Sequence, residues 1–534
     1  MNKNNKKDAL ASNISGNTRR DFLRFSAMAG LLGVTHGMWL TASAAEPARA
    51  LPRKGGTLKL GLAGGSTADS MNPGSWTDTF TFIGFSAVYN TLAEIDIDGS
   101  AIPELAESWE SSPDARVWTF KLRQGVQFHD GRSLTVDDVL ASVQHHLGEQ
   151  STSAAKTVLG DVASVQTKGA DTVVFELHSG NADFPYVVAD YHLAIMPSKD
   201  GLADWRAGVG TGGYRIKSFE PGVRMSLVRN PDYWKAGRAH FAEAELISIS
   251  DGAARVNALM TGAVDVINKV DLKTVALLKR NPNLVIEETK GAQHYTFPML
   301  CDSVQFANND IRLAMKHGID RQALLNTVLR GYGQVGNDHP IQPGSRFLNT
   351  ELAQRAYDPD QARFYLRKAG VESLKVRLQA SDAAYTGAVD ASVLFKEQAR
   401  AAGIDIEVVR EPADGFFANV WNKQPFTTSF FYSSLTADRM FSIGYAKGAA
   451  WNESHWDHPR FNQLLNAARG ELNEPLRREM YNEMQQLCRD EGGTIIPLFA
   501  NSVAARSNRV THGGVTAPYG ELDGLRVIER WWQA

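Results

Sequence analysis

The sequence predicts a mixed α/β fold with several domains, and three observations support this prediction. The chain has 534 residues, of which 43% are hydrophobic and 22% are charged, a composition typical of a globular protein with packed cores. At about 100 to 200 residues per domain, this length predicts two to four domains. Short β-rich runs alternate with amphipathic helical segments and no fixed-period repeat is visible, which indicates a mixed α/β architecture.

The predicted strands are short runs rich in β-branched or aromatic residues, and polar residues, Gly or Pro bound each run. In chain order they begin at Thr57, Val117, Thr172, Tyr214, Met225, Leu246, Leu284, Val376, Ile404, Phe426 and Thr494. Helices are predicted after capping residues or an early Pro, as where Thr135 and Asp138 resemble a capping box. The predicted helices run from Val136 to Leu147, after Asp251 to Gly262, from Pro359 to Ala369 and from Pro475 to Leu487.

Residues 1 to 44 have the layout of an export signal. A basic stretch, Thr18–Arg24, leads into a modestly apolar run, Phe25–Ala42, and small residues then offer a cleavage site after Ala44. The adjacent Arg19 and Arg20, followed by Phe and Leu, resemble the twin-arginine signal that a translocase for folded cargo reads. An ordinary Sec signal with an accidental arginine pair is the alternative.

Cleavage is expected within residues 42 to 50, and the mature chain is predicted to be soluble outside the cytoplasm. No Cys stands at the predicted cut, so a lipid anchor is not indicated. The whole chain has 56 Lys and Arg against 59 Asp and Glu. Removal of the signal leaves 50 against 57, a net charge near −7. This balance predicts no binding of nucleic acid, because a nucleic-acid-binding protein carries a basic surface.

The two cysteines, Cys301 and Cys488, are too few for a disulfide scaffold. They could pair with each other in an oxidising compartment. Cys488, however, shares a helical spacing with Met480, Met484 and Leu487, which is typical of a buried face. We therefore expect two buried free thiols.

A catalytic or cofactor site finds little support in the sequence. Gly208, Gly210 and Gly213 spell GxGxxG, but a strand-like segment follows them where a dinucleotide site needs a helix, so we interpret them as a tight turn. The chain contains no GxxxxGK[ST], GxSxG or HExxH motif. His455 and His458 are three residues apart, a spacing that permits a metal site, but a solvated turn before a helix is the preferred interpretation. No catalytic residue, cofactor or metal ligand is predicted.

Several long motifs occur in one order along some 450 residues. They include GGTLKLGL from Gly55 with SMNP at Ser70, AVYNTLAEIDIDGSAIPELAESW from Ala87, GTGGYRIKSFEPGVRMSLVRNPDYW from Gly210 and NDIRLAMKHGIDRQALLNTVLRGYG from Asn309. YDPDQARFYLRKAG, DHPRFNQLLNAAR and IIPLFANSVAARS follow. This series resembles the peptide/nickel-type (family 5) solute-binding proteins that serve ABC importers.

The resemblance implies a two-lobed periplasmic-binding-protein clamp, type II-like, with an extra domain inserted in the first lobe. Lobe I would comprise residues 45–90, 207–305 and 500–534, the insert residues 91–206, and lobe II residues 306–499. The chain would cross between lobes near Met299–Phe306 and Ile496–Asn501. The clamp would be a periplasmic monomer that encloses a ligand and delivers it to permease subunits, without catalysis.

The resemblance also places ligand contacts on three segments. The expected contacts are Trp76, Thr77, Thr79, Phe82, His294, Tyr295, Tyr385, Trp421, Tyr432, Ser433 and Asp438. Two departures from the family pattern matter. Ser433, Ser434 and Leu435 stand where peptide binders carry an acid for the ligand amine, and no Arg stands in residues 381–387 for its carboxylate.

A peptide or peptide-like ligand is therefore the leading prediction, and a simple dipeptide is not expected. A metal chelate or another small organic solute is the alternative within this class. A secreted hydrolase is the alternative from another class.

Overall fold

The computed structural model of the protein describes residues 52–148, 151–514 and 516–534. The predicted signal, residues 1 to 44, lies outside the described residues. Strands and helices alternate along the described chain, as the sequence pattern predicts. The strands are β1 (Thr57–Leu62), β2 (Ala93–Ile95), β3 (Ala101–Pro103), β4 (Ala106–Ser111), β5 (Val117–Leu122), β6 (Val162–Lys168), β7 (Thr172–Leu177), β8 (Ser198–Lys199), β9 (Leu202–Ala203), β10 (Tyr214–Glu220), β11 (Arg224–Arg229), β12 (Glu243–Ser248), β13 (Val266–Ile267), β14 (Leu284–Pro298), β15 (Gly333–Val335), β16 (Leu374–Ala380), β17 (Ile404–Arg410), β18 (Ser429–Tyr432), β19 (Thr494–Ser507), β20 (Val510–Thr511) and β21 (Trp532–Gln533).

Several helices begin where a polar side chain accepts a hydrogen bond from a free amide of the first turn. Asp251 accepts from the Ala254 amide at 2.7 Å, and Asp358 accepts from the Gln361 amide at 2.8 Å. The helices are α1 (Thr79–Ser86), α2 (Val136–Leu147), α3 (Phe184–Val187), α4 (Gly252–Met260), α5 (Val275–Leu278), α6 (Asn309–His317), α7 (Arg321–Val328), α8 (Pro359–Lys368), α9 (Ala388–Ala399), α10 (Phe416–Asn419), α11 (Ala437–Gly444), α12 (Pro459–Gly470), α13 (Glu474–Glu491) and α14 (Val527–Arg530).

The largest sheet among the described residues has nine strands. Its strand order is β10-β11-β12-β1-β13-β19-β14-β18, and β15 pairs with β19 beside this path. β1 is parallel to β12 and β13, whereas β14 is antiparallel to both β18 and β19. The terminal strand β18 is shorter than the predicted strand from Phe426, because residues 426 and 427 instead bridge to Met299 and Gln379.

Two smaller sheets form separate layers. The four-stranded sheet β4-β5-β7-β6 is antiparallel, and α2 packs on it. The strands β16 and β17 are parallel, and α9 connects them and packs on both, as in a βαβ unit.

The hydrophobic residues form distinct buried clusters along the chain. One core joins β1, α1 and β10–β12 with the C-terminal segment, and a second lies under the four-stranded sheet between Leu92 and Ile195. A third core surrounds the β16–β17 unit, and a fourth lies under α11, α12 and α13. A small fifth core lies between α4, α5 and the first half of β14.

Both cysteines are free thiols, Cys488 buried and Cys301 half-buried. The structure thus agrees with the expected burial for Cys488 and only in part for Cys301. Within residues 52–148, 151–514 and 516–534, no helix is both long enough and apolar enough to cross a bilayer.

Candidate functional site

Two long antiparallel strands, β14 and β19, run between the buried clusters. Residues 284–289 of β14 pair with residues 502–507 of β19, and residues 293–298 pair with residues 494–500. Between these ladders the register shifts at residues 290–292, which we call the crossing. Gly291 has φ of 60°, a backbone conformation that favours Gly. The chain changes cores here, because Ile286 packs on the fifth core and Tyr295 belongs to the third.

Side chains from both strands and from Ser433, the residue after β18, form hydrogen bonds at the crossing. The Asn501 side-chain oxygen accepts a hydrogen bond from the Gly291 amide at 3.2 Å, and the Asn501 amide group donates to Glu288 at 3.0 Å. The Ser433 hydroxyl donates to the Gly291 carbonyl. Ser433, an expected ligand contact, therefore lies at the crossing, where its hydroxyl proton forms a hydrogen bond with the backbone.

β18 runs from Ser429 to Tyr432 and ends beside the crossing, where the Ser433 amide donates to the Ala292 carbonyl at 3.0 Å. In the described part of the chain β18 pairs with β14 only, so its other edge has no strand partner. Because backbone groups alternate in direction along a strand, the amides of Phe430 and Tyr432 point away from β14. An unpaired edge of this kind can add an extended segment by backbone hydrogen bonds.

The expected contacts after β1 lie in and around the first core. Trp76 is 1% exposed, its ring stacks on Phe85 at a centroid distance of 4.6 Å, and its indole donates to the Ser70 carbonyl. The Thr79 hydroxyl donates to Glu521 at 3.2 Å, and Phe82 lies against Tyr191. Thr77 is the exposed member of this group. Trp76 therefore acts as a packing residue that holds the loop.

His294 and Tyr295 point to opposite faces of β14, as neighbours on a strand do. His294 is fully buried between the rings of Phe431 and Phe499, with both centroid distances 5.6 Å. Burial lowers the pKa of His294 to about 3, so this imidazole is neutral at physiological pH. Tyr295 stacks on Tyr385 with the ring centroids 3.7 Å apart. The structure thus brings the expected contacts Tyr295 and Tyr385 together, but the two side chains are only 5% and 6% exposed.

The remaining expected contacts divide between two places. Trp421 and Tyr432 lie in one group of rings with Phe417 and Phe430. Asp438, in contrast, forms an ion pair with Arg469 at 3.1 Å on the side of the molecule where residues 180–190 pack. The structure therefore separates Asp438 from the exposed rings.

Glu453 is an acidic residue that sequence reasoning missed. One carboxylate oxygen accepts a hydrogen bond from the Trp421 indole at 2.9 Å, and the other has no partner among the described residues. The carboxyl is beside the hydroxyls of Thr296 and Ser429, and burial raises its pKa above the usual range. The segment Trp451–Ser454 is polar and short, so its pattern predicts a turn, and only the fold shows that its acid is buried.

His455 and His458 do not share a ligand position. The His455 imidazole contacts Asp302 at 2.8 Å. His458 instead caps α12, where its Nδ1 accepts from the Phe461 amide at 3.2 Å, and its Nε2 lies 3.2 Å from Glu491. Within the described residues no cluster of three or more His, Cys, Asp or Glu side chains could hold a metal ion. The structure agrees with the preferred interpretation, a turn that leads into a helix.

The glycine motif forms a tight turn before β10. Gly208 has φ of 62°, and β-carbons at Gly210 and Gly212 would collide with the backbone of Val88. These glycines therefore allow close backbone contact with the segment after α1. No helix opens at the motif, because β10 begins at Tyr214, so the dinucleotide interpretation has no geometric support.

The chain is similar to known proteins over most of its length. Residues 100–452 match the family model described as bacterial extracellular solute-binding proteins, family 5 Middle. Heme-binding protein A of Haemophilus influenzae is 25% identical over 479 residues, which cover 81% of this chain and 85% of that protein. Peptide transport periplasmic protein SapA of Salmonella typhimurium is also 25% identical, over 81% of this chain and 85% of that protein.

Among solved structures, HbpA2 from Haemophilus parasuis superimposes with a TM-score of 0.79 at 22% identity, covering 88% of this chain and 99% of that one. The fold is thus the two-lobed α/β clamp of periplasmic binding proteins. The family match covers well over half of the chain. This protein belongs to the bacterial extracellular solute-binding proteins of family 5.

Proposed function

We propose that this chain is the periplasmic solute-binding component of an ABC importer, and that it captures a peptide or peptide-like solute. The single observation that carries the peptide class is the position of β18, which ends at the crossing and has one edge without a strand partner among the described residues. An extended peptide can add to such an edge through the outward amides of Phe430 and Tyr432. The similarity to a relative named as a peptide transport protein supports the same class.

Capture works by closure of the clamp. Lobe I comprises residues 45–90, 207–305 and 500–534, the insert residues 91–206, and lobe II residues 306–499. The separate cores support this division, and the change of core at residues 290–292 suggests that the first crossing lies upstream of Met299. A ligand that contacts both lobes favours the closed state through differential affinity, and permease subunits then recognise the closed monomer.

The ligand contacts form two groups in this proposal. Tyr432, Trp421 and Thr77 offer side-chain surface, whereas Trp76, Thr79, Phe82, His294, Tyr295, Tyr385, Ser433 and Asp438 are engaged in the packing, hydrogen-bond and ion-pair contacts described above. The match to a family of solute-binding proteins supports a receptor over a secreted hydrolase.

Export by the twin-arginine translocase completes the proposal. Arg19 and Arg20 are the residues that the translocase would read. Substitution of both by Lys should leave the precursor in the cytoplasm, while inhibition of the Sec pathway should not. Periplasmic accumulation of the doubly substituted chain would contradict this step.

A metal chelate or another small organic solute is the second candidate. The similarity to a protein named for heme binding supports it, as does the absence of an acid at residues 433–435. The pair His455 and His458 does not, because each imidazole is engaged by a different carboxylate.

Native mass spectrometry of the mature protein, purified without refolding, tests the proposal. We expect an intact, stoichiometric peptide, and peptide pools should raise the melting temperature of the ligand-free protein. Stabilisation by a nickel chelate or hemin but by no peptide pool would overturn the peptide class. A cleaved product or a bound redox cofactor would overturn the receptor function itself.

A further inference from the structure

Four aromatic side chains form a continuous group on β18 and the segment that precedes it. The ring centroids of Trp421 and Phe417 are 5.9 Å apart, those of Phe417 and Phe430 are 6.3 Å apart, and those of Phe430 and Tyr432 are 5.2 Å apart. We call these four residues the aromatic shelf. Each pair is within the range in which aromatic rings attract one another.

The aromatic shelf is open to solvent on one side. Tyr432 is 69% exposed and Phe417 is 43% exposed, while Trp421 and Phe430 are half-buried. Isolated exposed rings are common on protein surfaces, but a contiguous apolar patch usually marks a binding surface. The connection of the four rings makes the aromatic shelf a patch of this kind.

The inner side of the aromatic shelf is fixed. Phe430 and Trp421 pack against the third core, and Phe430 faces Tyr295 in the β14–β18 ladder. Tyr295 in turn stacks on Tyr385, and the Trp421 indole donates to Glu453. A ring that binds here would meet side chains that are already ordered, so little rotamer entropy is lost on binding.

The aromatic shelf also lies at the crossing. Tyr432 pairs with Gln293, the first residue of β14 after the register shift, and the next residue, Ser433, bonds to Gly291. The most exposed ring is therefore located where the proposed lobes meet and where the proposed function places the ligand.

We propose that the aromatic shelf binds a flat hydrophobic ring of the transported solute. The inference rests on the proposed function and adds the chemical class of one ligand group. Two sources could supply this chemistry, an aromatic side chain of a peptide or the ring system of a macrocyclic chelate. A charged or small aliphatic group would leave the apolar faces of Tyr432 and Phe417 exposed to water.

Calorimetry with matched ligands tests the inference. The ligand-free mature protein is titrated with Ala-Ala-Ala, Ala-Trp-Ala and hemin. Stacking on one or two rings should make Ala-Trp-Ala bind about tenfold more tightly than Ala-Ala-Ala. Equal affinities for the two peptides would overturn the proposed ring site.

Variants locate the site. Tyr432→Ala and Phe417→Ala should each weaken Ala-Trp-Ala, or hemin if that is the ligand, roughly five- to tenfold, and weaken Ala-Ala-Ala by a clearly smaller factor. Phe364→Ala is the matched control, because this ring is 48% exposed and contacts Tyr365 on α8. Equal losses for both peptides, or a loss in the control, would contradict a ring site on the aromatic shelf.

The outcomes separate this inference from the proposed function. If hemin binds, no peptide does, and Tyr432→Ala weakens hemin, the ring site stands and the peptide class fails. If peptides bind without regard to their side chains, the peptide class stands and the ring site fails. If neither class binds, both fail.

Discussion

A buried ion pair between Asp183 and Arg477 should contribute strongly to stability. Asp183 precedes α3 in the proposed insert and Arg477 lies on α13. The guanidinium donates to both carboxylate oxygens, at 2.7 and 2.6 Å. We predict that Asp183→Asn, which keeps the shape of the side chain and removes its charge, substantially destabilises the protein.

The burial of the pair sets the magnitude. The side chains of Arg477 and Asp183 are 3% and 5% exposed, so solvent screens their attraction very little. Removal of one partner of a buried pair typically costs about 3–5 kcal/mol, because the remaining charge is left buried without compensation. Arg477 keeps hydrogen bonds to Ala468 and Tyr481, and Asn still offers one acceptor. We therefore expect about 3 kcal/mol, near the lower limit.

Because the pair joins the proposed insert to the proposed lobe II, the effect is measured in the solute-saturated protein, where the clamp is closed, by urea unfolding followed by tryptophan fluorescence. The control is Glu483→Gln, which removes the charge from another bidentate ion pair, in which Arg460 donates to both carboxylate oxygens at 2.7 and 2.8 Å. That pair is 47% and 42% exposed, so its loss should leave the unfolding midpoint close to that of the native protein.

Equal midpoint shifts for Asp183→Asn and Glu483→Gln would contradict this prediction, because burial of the pair would then make no difference to its contribution. A second variant gives a further test. Replacement of both partners by apolar residues, Asp183→Leu with Arg477→Met, leaves no unpaired charge and should recover most of the lost stability.

Three further predictions concern substitutions of single residues. Burial raises the pKa of Glu453, so the ionised form of this side chain destabilises the fold above pH 4.5. Glu453→Gln should therefore raise the melting temperature at pH 7.5 and lose this advantage at pH 4. An equal gain in melting temperature at both pH values would contradict this prediction. His458→Ala removes a helix cap and should cost about 1 kcal/mol in urea unfolding without changing the affinity for nickel chelates. Gly210→Ala should prevent soluble expression, because its β-carbon collides with the Val88 carbonyl, whereas Gly148→Ala, with no close backbone contact, should express normally.

Much of the fold is encoded locally and could be predicted. The strand from Thr57 and the helix from Val136 occur as predicted, because alternation and capping residues act within a few positions. The predicted strand LVIEE is only the first part of β14, which extends to Pro298. The polar and Gly residues at 290–292 resemble a turn in the sequence, but the paired strand β19 carries the ladder past them as a bulge.

The site was harder to predict because its contacts are distant in sequence. Asp438 is a predicted ligand contact, and its ion pair with Arg469, 31 residues further along the chain, is not visible in any local pattern. The contact between Asp183 and Arg477 joins residues 294 positions apart, which no local pattern shows. The exposed position of Tyr432 likewise depends on the terminal place of β18 in the sheet.

Small-angle X-ray scattering tests most directly whether the clamp closes on a bound solute. The mature protein is measured without ligand and with a saturating amount of the solute identified by native mass spectrometry. Lobe closure should give a smaller radius of gyration in the saturated sample than in the ligand-free one. An unchanged radius at full occupancy would contradict it.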